Sequence, residues 1–148
     1  MSQEGPGSRD VAVVRLAGDP PSPWEQPYGF SRLVRAGQVV LVGGTTSVNG
    51  SGVVLGTTPY EQTVEILEKV RRELARFGAS LADVVQIRAY VTDITRAGEV
   101  GRAHGEAFSE VRPVMTMVEV SALIDPRMMV EIEAVALVTE GCVAARVK

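Results

Sequence analysis

Two alternating runs near the C-terminus constrain this 148-residue chain more than any other feature. From Val114 to Val120 an extended strand places Val114, Thr116, Val118 and Val120 on one face and Met115, Met117 and Glu119 on the other. From Met128 to Val138 one face is again apolar, with Met128, Val130, Ile132, Ala134, Ala136 and Val138, while Met129, Glu131, Glu133, Val135 and Leu137 take the other. Antiparallel pairing of the two runs across Asp125-Pro126 predicts a ribbon with an ordinary core side. Its reverse side mixes methionines with carboxylates, which suits neither a dry core nor an open solvent face. A side of that kind belongs to a subunit interface, a pocket, or both.

The preceding chain supplies what such a ribbon packs against. Val11 to Leu16 has the branched content of an edge strand, and Gly18 to Pro27 holds four prolines, which predict a stiff loop presenting or covering Trp24 and Tyr28. Phe30 to Val34 and Gln38 to Val42 flank Ala36-Gly37 as a hairpin, and Gly43-Gly44 predicts a bulge or a close backbone approach. Asn49-Gly50-Ser51-Gly52 marks a second hairpin between Thr45–Val48 and Val53–Leu55. Thr58, Pro59 and Glu61 then announce a helix, with Val64, Leu67, Val70, Leu74 and Phe77 as its apolar stripe and Gly78 as its stop. Leu81 to Val91 reads as a strand. A second helix runs from Asp93 or Thr95 to about Glu110, with Gly98, Gly101 and Gly105 leaving a smooth face for a sheet or a neighbour. Strands and helices in this order predict an α+β domain, a mixed β-sheet with two helices packed on one face and the other face uncovered. An uncovered, semi-apolar face predicts self-association. The organisation expected is a disordered lead-in over 1–10, one domain over 11–140, and a tail over 141–148.

Composition removes several functions. The net charge is −3 and the sequence pI about 5.2, so the basic footprint of a nucleic-acid binder is missing and nucleic acid is an unlikely partner. Cys142 is the single cysteine, which rules out an intrachain disulfide and a thiolate metal cluster and fits a reducing, cytoplasmic setting. No apolar run reaches membrane-spanning length. One histidine, His104, cannot build a His-x-x-x-His site, so no metal is expected, and no dinucleotide or phosphate-loop fingerprint appears, so no cofactor is expected. A Cys142–His104 pair requires the tail to fold back. What remains is carboxylate chemistry. Glu119, Glu131 and Glu133 share a face if their strands are neighbours, and a glutamate beside methionines has its charged form disfavoured. Glu131, mid-strand, is the candidate acid/base; Glu119 and Glu133 fit salt bridges to arginines of another subunit.

Several segments together resemble the YjgF/Rid family, also labelled endoribonuclease L-PSP. They are Gln26-Pro-Tyr-Gly-Phe-Ser, Val34-Arg-Ala-Gly, Val40-Leu-Val-Gly-Gly44, Phe77-Gly-Ala-Ser-Leu-Ala-Asp-Val-Val85, Tyr90-Val-Thr-Asp-Ile94, Arg112-Pro113, Val118-Glu-Val-Ser-Ala-Leu123 and Val130-Glu-Ile-Glu-Ala134. The resemblance covers roughly Tyr28 to Val138. It implies a chorismate-mutase-like protomer, a homotrimer with sheets facing inward, and small-molecule pockets between subunits that hydrolyse reactive enamines and imines without a cofactor. Carried over by position, Tyr28 and Glu131 are the catalytic residues, and Gly44, Thr45, Met115, Met117, Gly101 and His104 line the substrate. Family deaminases hold an arginine where this chain has Met115. Losing that fork costs a 2-imino acid about 1.5–3 kcal/mol of binding, so the resemblance implies a less acidic ligand unless Arg112 or Arg127 restores the grip. A non-catalytic binding module and a ribonuclease are the rival readings.

Overall fold

In the computed structural model, which describes residues 11–139, the last alternating run becomes an inner strand of a six-stranded sheet. The elements are β1 (Val13–Leu16), α1 (Glu25–Tyr28), β2 (Leu33–Ala36), β3 (Val39–Thr45), α2 (Pro59–Ala75), β4 (Val84–Val91), α3 (Ala97–Phe108), β5 (Val114–Glu119) and β6 (Val130–Leu137). Across the sheet they lie in the order β1-β2-β3-β6-β4-β5. Only β4 and β5 run parallel; β6 is antiparallel to both β3 and β4. β3 and β4 are thus parallel to each other with one strand between them, which is why a helix, α2, has to carry the chain across.

Val130, Ile132, Ala134 and Ala136 of β6 face the helices, where they meet Val40 and Val42 of β3, Ile87, Ala89 and Val91 of β4, and Ile66, Val70 and Leu74 of α2. Both α2 and α3 pack on this side, as the alternation and helix count predict. The apolar stripe of α2 is rotated from the expected one: Ile66, Leu67, Val70 and Leu74 are buried and Val64 is exposed. Thr58 caps the helix by accepting the Glu61 N–H at 3.2 Å, while the Glu61 carboxylate reaches back to the N–H of Thr57 at 2.7 Å. Gly78, at φ 71, makes the left-handed exit.

The structure corrects the reading of β5. This strand is not next to β6; β4 lies between them. Its parallel register sets Met115 beside Ile87 and Met117 beside Ala89, so the methionines face the core and Val114, Thr116 and Val118 face outward. Alternation alone could not choose, since both faces of β5 are apolar enough to be buried; the partner strand decides. The expected methionine-and-glutamate face is therefore two separate faces. Glu131 and Glu133 are on the open side, whereas Glu119 sits at the end of β5 beside Val91 and accepts the Ile94 N–H at 3.1 Å.

Three smaller differences follow from local chemistry. The proline-rich segment holds one turn of helix, α1, with Gly29 in the left-handed region behind it. The second hairpin reduces to a single bridge between Val48 and Val54. Gly98, Gly101 and Gly105 do not lie against the sheet: a Cβ on any of them would meet nothing.

Gln62, buried in the first turns of α2, fastens the entry to β6. Its amide donates to the carbonyls of Gly56 at 3.2 Å and Arg127 at 3.0 Å, and its oxygen accepts the Met129 N–H at 2.8 Å. Replacing it with leucine leaves those three groups unsatisfied. Gln62→Leu is expected to lower stability by about 2–4 kcal/mol, read as a lower urea midpoint; an unchanged midpoint would contradict this role.

Candidate functional site

The open face of β6 carries the carboxylate that sequence singled out. Glu131 is opposite Tyr90 of β4, and Glu133 is opposite Arg88. Tyr90 donates its hydroxyl to Glu133 at 2.6 Å, and Arg88 adds a 3.4 Å ion pair, so Glu133 is partnered within its own chain. Glu131 makes neither. On its other flank, β3 breaks register between Val42 and Thr45, and the break is the Gly43-Gly44 pair. The reason is contact: a Cβ built on Gly44 would overlap the Glu131 carboxyl oxygen. Glycine at 44 thus lets the Glu131 carboxyl lie against the β3 backbone, where a side chain would push the carboxyl aside. Thr45, fully buried, donates its hydroxyl to the Gly43 carbonyl at 2.8 Å and holds the bulge.

Burial pushes the Glu131 carboxyl above its ordinary value, Arg32 pulls it partly back, and Glu133 adds a further push upward. Arg32 was not among the residues expected here. It precedes β2, donates through Nη1 to the Gly44 carbonyl, and lies 3.5 Å from the Thr45 hydroxyl. Behind it is Glu25, buried in α1, which accepts the N–H groups of Gly18 and Ser22, each at 2.9 Å. Burial raises the pKa of Glu25, but these bonds and Arg32 outweigh it and hold the carboxyl below its usual range. Arg32 thus brings a guanidinium to the Gly44 backbone beside Glu131. Arg127 is paired with Asp125 at 2.7 and 3.0 Å, and no ion pair of Arg112 is seen among the described residues.

Tyr28, at the end of α1, is exposed and four residues before Arg32. Met115 and Met117 are on the helix side of the sheet, together with α3 and its Gly101 and His104. The His104 ring stacks 4.8 Å from Phe108, its Nε2 has no hydrogen-bond partner among the described residues, and burial lowers its pKa. The eight expected residues therefore form two groups in one protomer. Glu131, Gly44 and Thr45 are together, with Tyr28 at the end of the short helix before Arg32; Met115 and Met117 of β5 and Gly101 and His104 of α3 are on the helix side of the sheet. Two concavities of about 370 and 300 Å³ along α2 involve neither group. Arg32 escaped notice because it sits at the exit of an irregular loop, and its one signal was a basic residue directly before a buried strand.

A six-stranded mixed sheet with helices on one face and a glycine-cradled glutamate on the other defines a small α+β protein with an open-face acid site. The chain belongs to the endoribonuclease L-PSP family, whose model matches residues 24–138. It is 39% identical over 112 residues to an uncharacterized protein of Streptomyces coelicolor, covering 76% of this chain and 84% of that one. It is 31% identical over 114 residues to a RutC family protein of Pyrococcus abyssi, covering 75% and 88%. Among solved structures, Rv2704 of Mycobacterium tuberculosis, a member of the YjgF/YER057c/UK114 family, superposes with TM-score 0.77 at 44% identity, over 86% of this chain and all of that one. No described helix is long and apolar enough to cross a membrane.

The raised Glu131 pKa fixes a sign. A carboxyl whose folded pKa is raised favours the fold while protonated, and that contribution is lost as pH rises through the folded value. Glu131→Gln is expected to raise the melting temperature at pH 8 and to lose most of that advantage at pH 4. An equal effect at both pH values would show that Glu131 is not desolvated.

Proposed function

We propose that this protein is a homotrimer that hydrolyses small imines or enamines in clefts between its subunits, with Glu131 as the acid/base. The observation that carries the reading is Glu131 itself: half-buried, outside any ion pair among the described residues, with its pKa raised, and pressed against the Gly44 backbone. Catalytic groups are found in such settings because a buried acid that is expensive to ionise can both take and return a proton near neutral pH.

The chemistry is short. Glu131 takes a proton from a water as its oxygen adds to the C=N carbon and returns it to the nitrogen, giving R₂C(OH)NH₂; it then carries the hydroxyl proton to that nitrogen as the C–N bond breaks, so that R₂C=NH and H₂O become R₂C=O and NH₃. An enamine first accepts a proton on carbon from the same carboxyl. No metal or redox partner is needed to balance either step. Tyr28, exposed beside the cleft, orients the substrate, and the Gly44-Thr45 backbone forms its floor.

Assembly explains why the expected residues fall into two groups. The open face presents Val39, Leu41, Val114, Val118 and Leu137 to solvent, a side that a second copy would cover. A neighbour that brings the β5 edge and α3 of its own chain over this face would set its Met115, Met117, Gly101 and His104 across from Glu131. A ribonuclease reading has little support: the chain is net acidic, and Glu131 and Glu133 would repel a phosphate backbone.

Two measurements test this. Sedimentation should give a trimer, and a stable monomer at micromolar concentration would contradict the assembly. Hydrolysis of a freshly generated small imine should fall by about 10²–10⁴-fold in kcat for Glu131→Gln; a variant as fast as the parent would remove Glu131 from the chemistry.

A further inference from the structure

We infer that the groove between α2 and α3 is a docking site for a basic amphipathic helix of another protein. The inference does not rest on the imine-hydrolysis reading, because the groove is on the helix side of the sheet and Glu131 is on the other.

The two concavities along α2 are one feature. They share Val64 and Glu65, and together they follow the α2–α3 seam from Tyr60 to Leu81, just before β4. Their lining on α2 spans residues 60–68, about 12 Å of helix, which is room for two turns of a third helix. The floor is apolar: Val64 and Leu67 of α2, Leu81, and Ala103 and Ala107 of α3. Val64, which sequence assigned to the core stripe, is 42% exposed and opens into this groove instead. Ala103 and Ala107 are one turn apart on the same flank of α3, and their small side chains let another helix come close. Helical spacing turns that flank away from Gly101 and Gly105, so a neighbour lying over those glycines would leave the groove open.

The walls decide what can lie on this floor. Glu61, Glu65 and Glu68 follow one another along α2, Glu106 comes from α3, and no lysine or arginine lines either concavity among the described residues. Internal partners answer these carboxylates only in part. Glu61 accepts the Thr57 N–H at 2.7 Å, and Glu106 accepts the Tyr60 hydroxyl at 2.7 Å, both neutral donors. Arg71 pairs with Glu68 at 2.9 Å, while Arg102 lies over the Tyr60 ring at 3.9 Å. Glu65 forms no ion pair among the described residues. Its natural partner one turn on, Lys69, donates instead to the carbonyls of Thr46 at 2.6 Å and Val48 at 2.7 Å. An apolar floor between acidic walls with one internal cation is complementary to a helix whose apolar ridge is flanked by lysines or arginines. An acidic helix would be repelled from it.

The probe is a synthetic helix of about 14 residues made of leucine and lysine, with its leucines on one face; its counterpart carries glutamate at every lysine. Each is titrated into the full-length protein at pH 7 and low ionic strength, and the methyl NMR signals of valine, leucine and alanine are followed. The lysine peptide should bind saturably, shift Val64, Leu67, Leu81, Ala103 and Ala107 ahead of other methyls, and weaken as salt is added. The glutamate peptide should not bind. Glu65→Lys should weaken the lysine peptide about 10-fold or more. Glu110→Lys, an equal change of net charge outside the groove, should leave it within about 2-fold. Melting curves establish that each variant is folded; if Glu65→Lys is not, Val64→Gln, at an exposed floor position, decides by the same criterion. Absence of saturable binding, equal binding of both peptides, shifts scattered over the surface, or equal effects of Glu65→Lys and Glu110→Lys would overturn the proposal. Groove signals that move on dilution of the protein alone would make a second copy the occupant and overturn it too.

Discussion

The antiparallel insertion of β6 between β3 and β4 is the constraint on which the rest of the structure depends. A strand flanked on both sides has no freedom of register, because a shift of one residue would turn Ile132 and Ala134 out of the core and Glu131 and Glu133 into it. The same pairing that buries one face therefore holds Glu131 on the other. Gln62 pins the start of the strand, so the acid is positioned by buried polar contacts as well as by the ladder.

The site depends equally on a departure from regularity. On the bulged backbone, a Cβ at residue 44 would occupy the space of the Glu131 carboxyl oxygen. Glycine has no such atom and leaves a backbone surface there. Removing water from Glu131 makes its charged form costly, and Arg32, fastened to the far side of Gly44, keeps the cost from growing. Position 44 thus connects three things: the break in the sheet, the unusual acid, and the cation that moderates it.

How much of this was legible in the sequence depended on whether local chemistry or a distant partner made the decision. The faces of β6, the Thr58 cap, the Gly78 stop and the special status of Gly43-Gly44 were all legible, since each is set within a few residues of itself. The orientation of β5 was not, because valines and methionines on its two faces are equally fit for burial and the β4 register chooses between them. Arg32 and Gln62 were missed for a related reason: Gly44 is 12 residues from Arg32, and Arg127 and Met129 are 65 and 67 residues from Gln62, across loops with no periodic pattern. Gly101 was placed correctly on a helix, and of the two covers its smooth face allowed, the protomer's own sheet is not the one, because sequence reports a smooth face but not what covers it.

The claim at the centre of this account is that Glu131 is a desolvated acid held against Gly44 and restrained by Arg32. Titrating its carboxyl carbon by NMR in the parent and in Arg32→Gln tests that claim most directly. The account predicts a midpoint above the ordinary glutamate value in the parent and a higher one in the variant. A midpoint at or below the ordinary value in the parent, or no movement on removing Arg32, would contradict it.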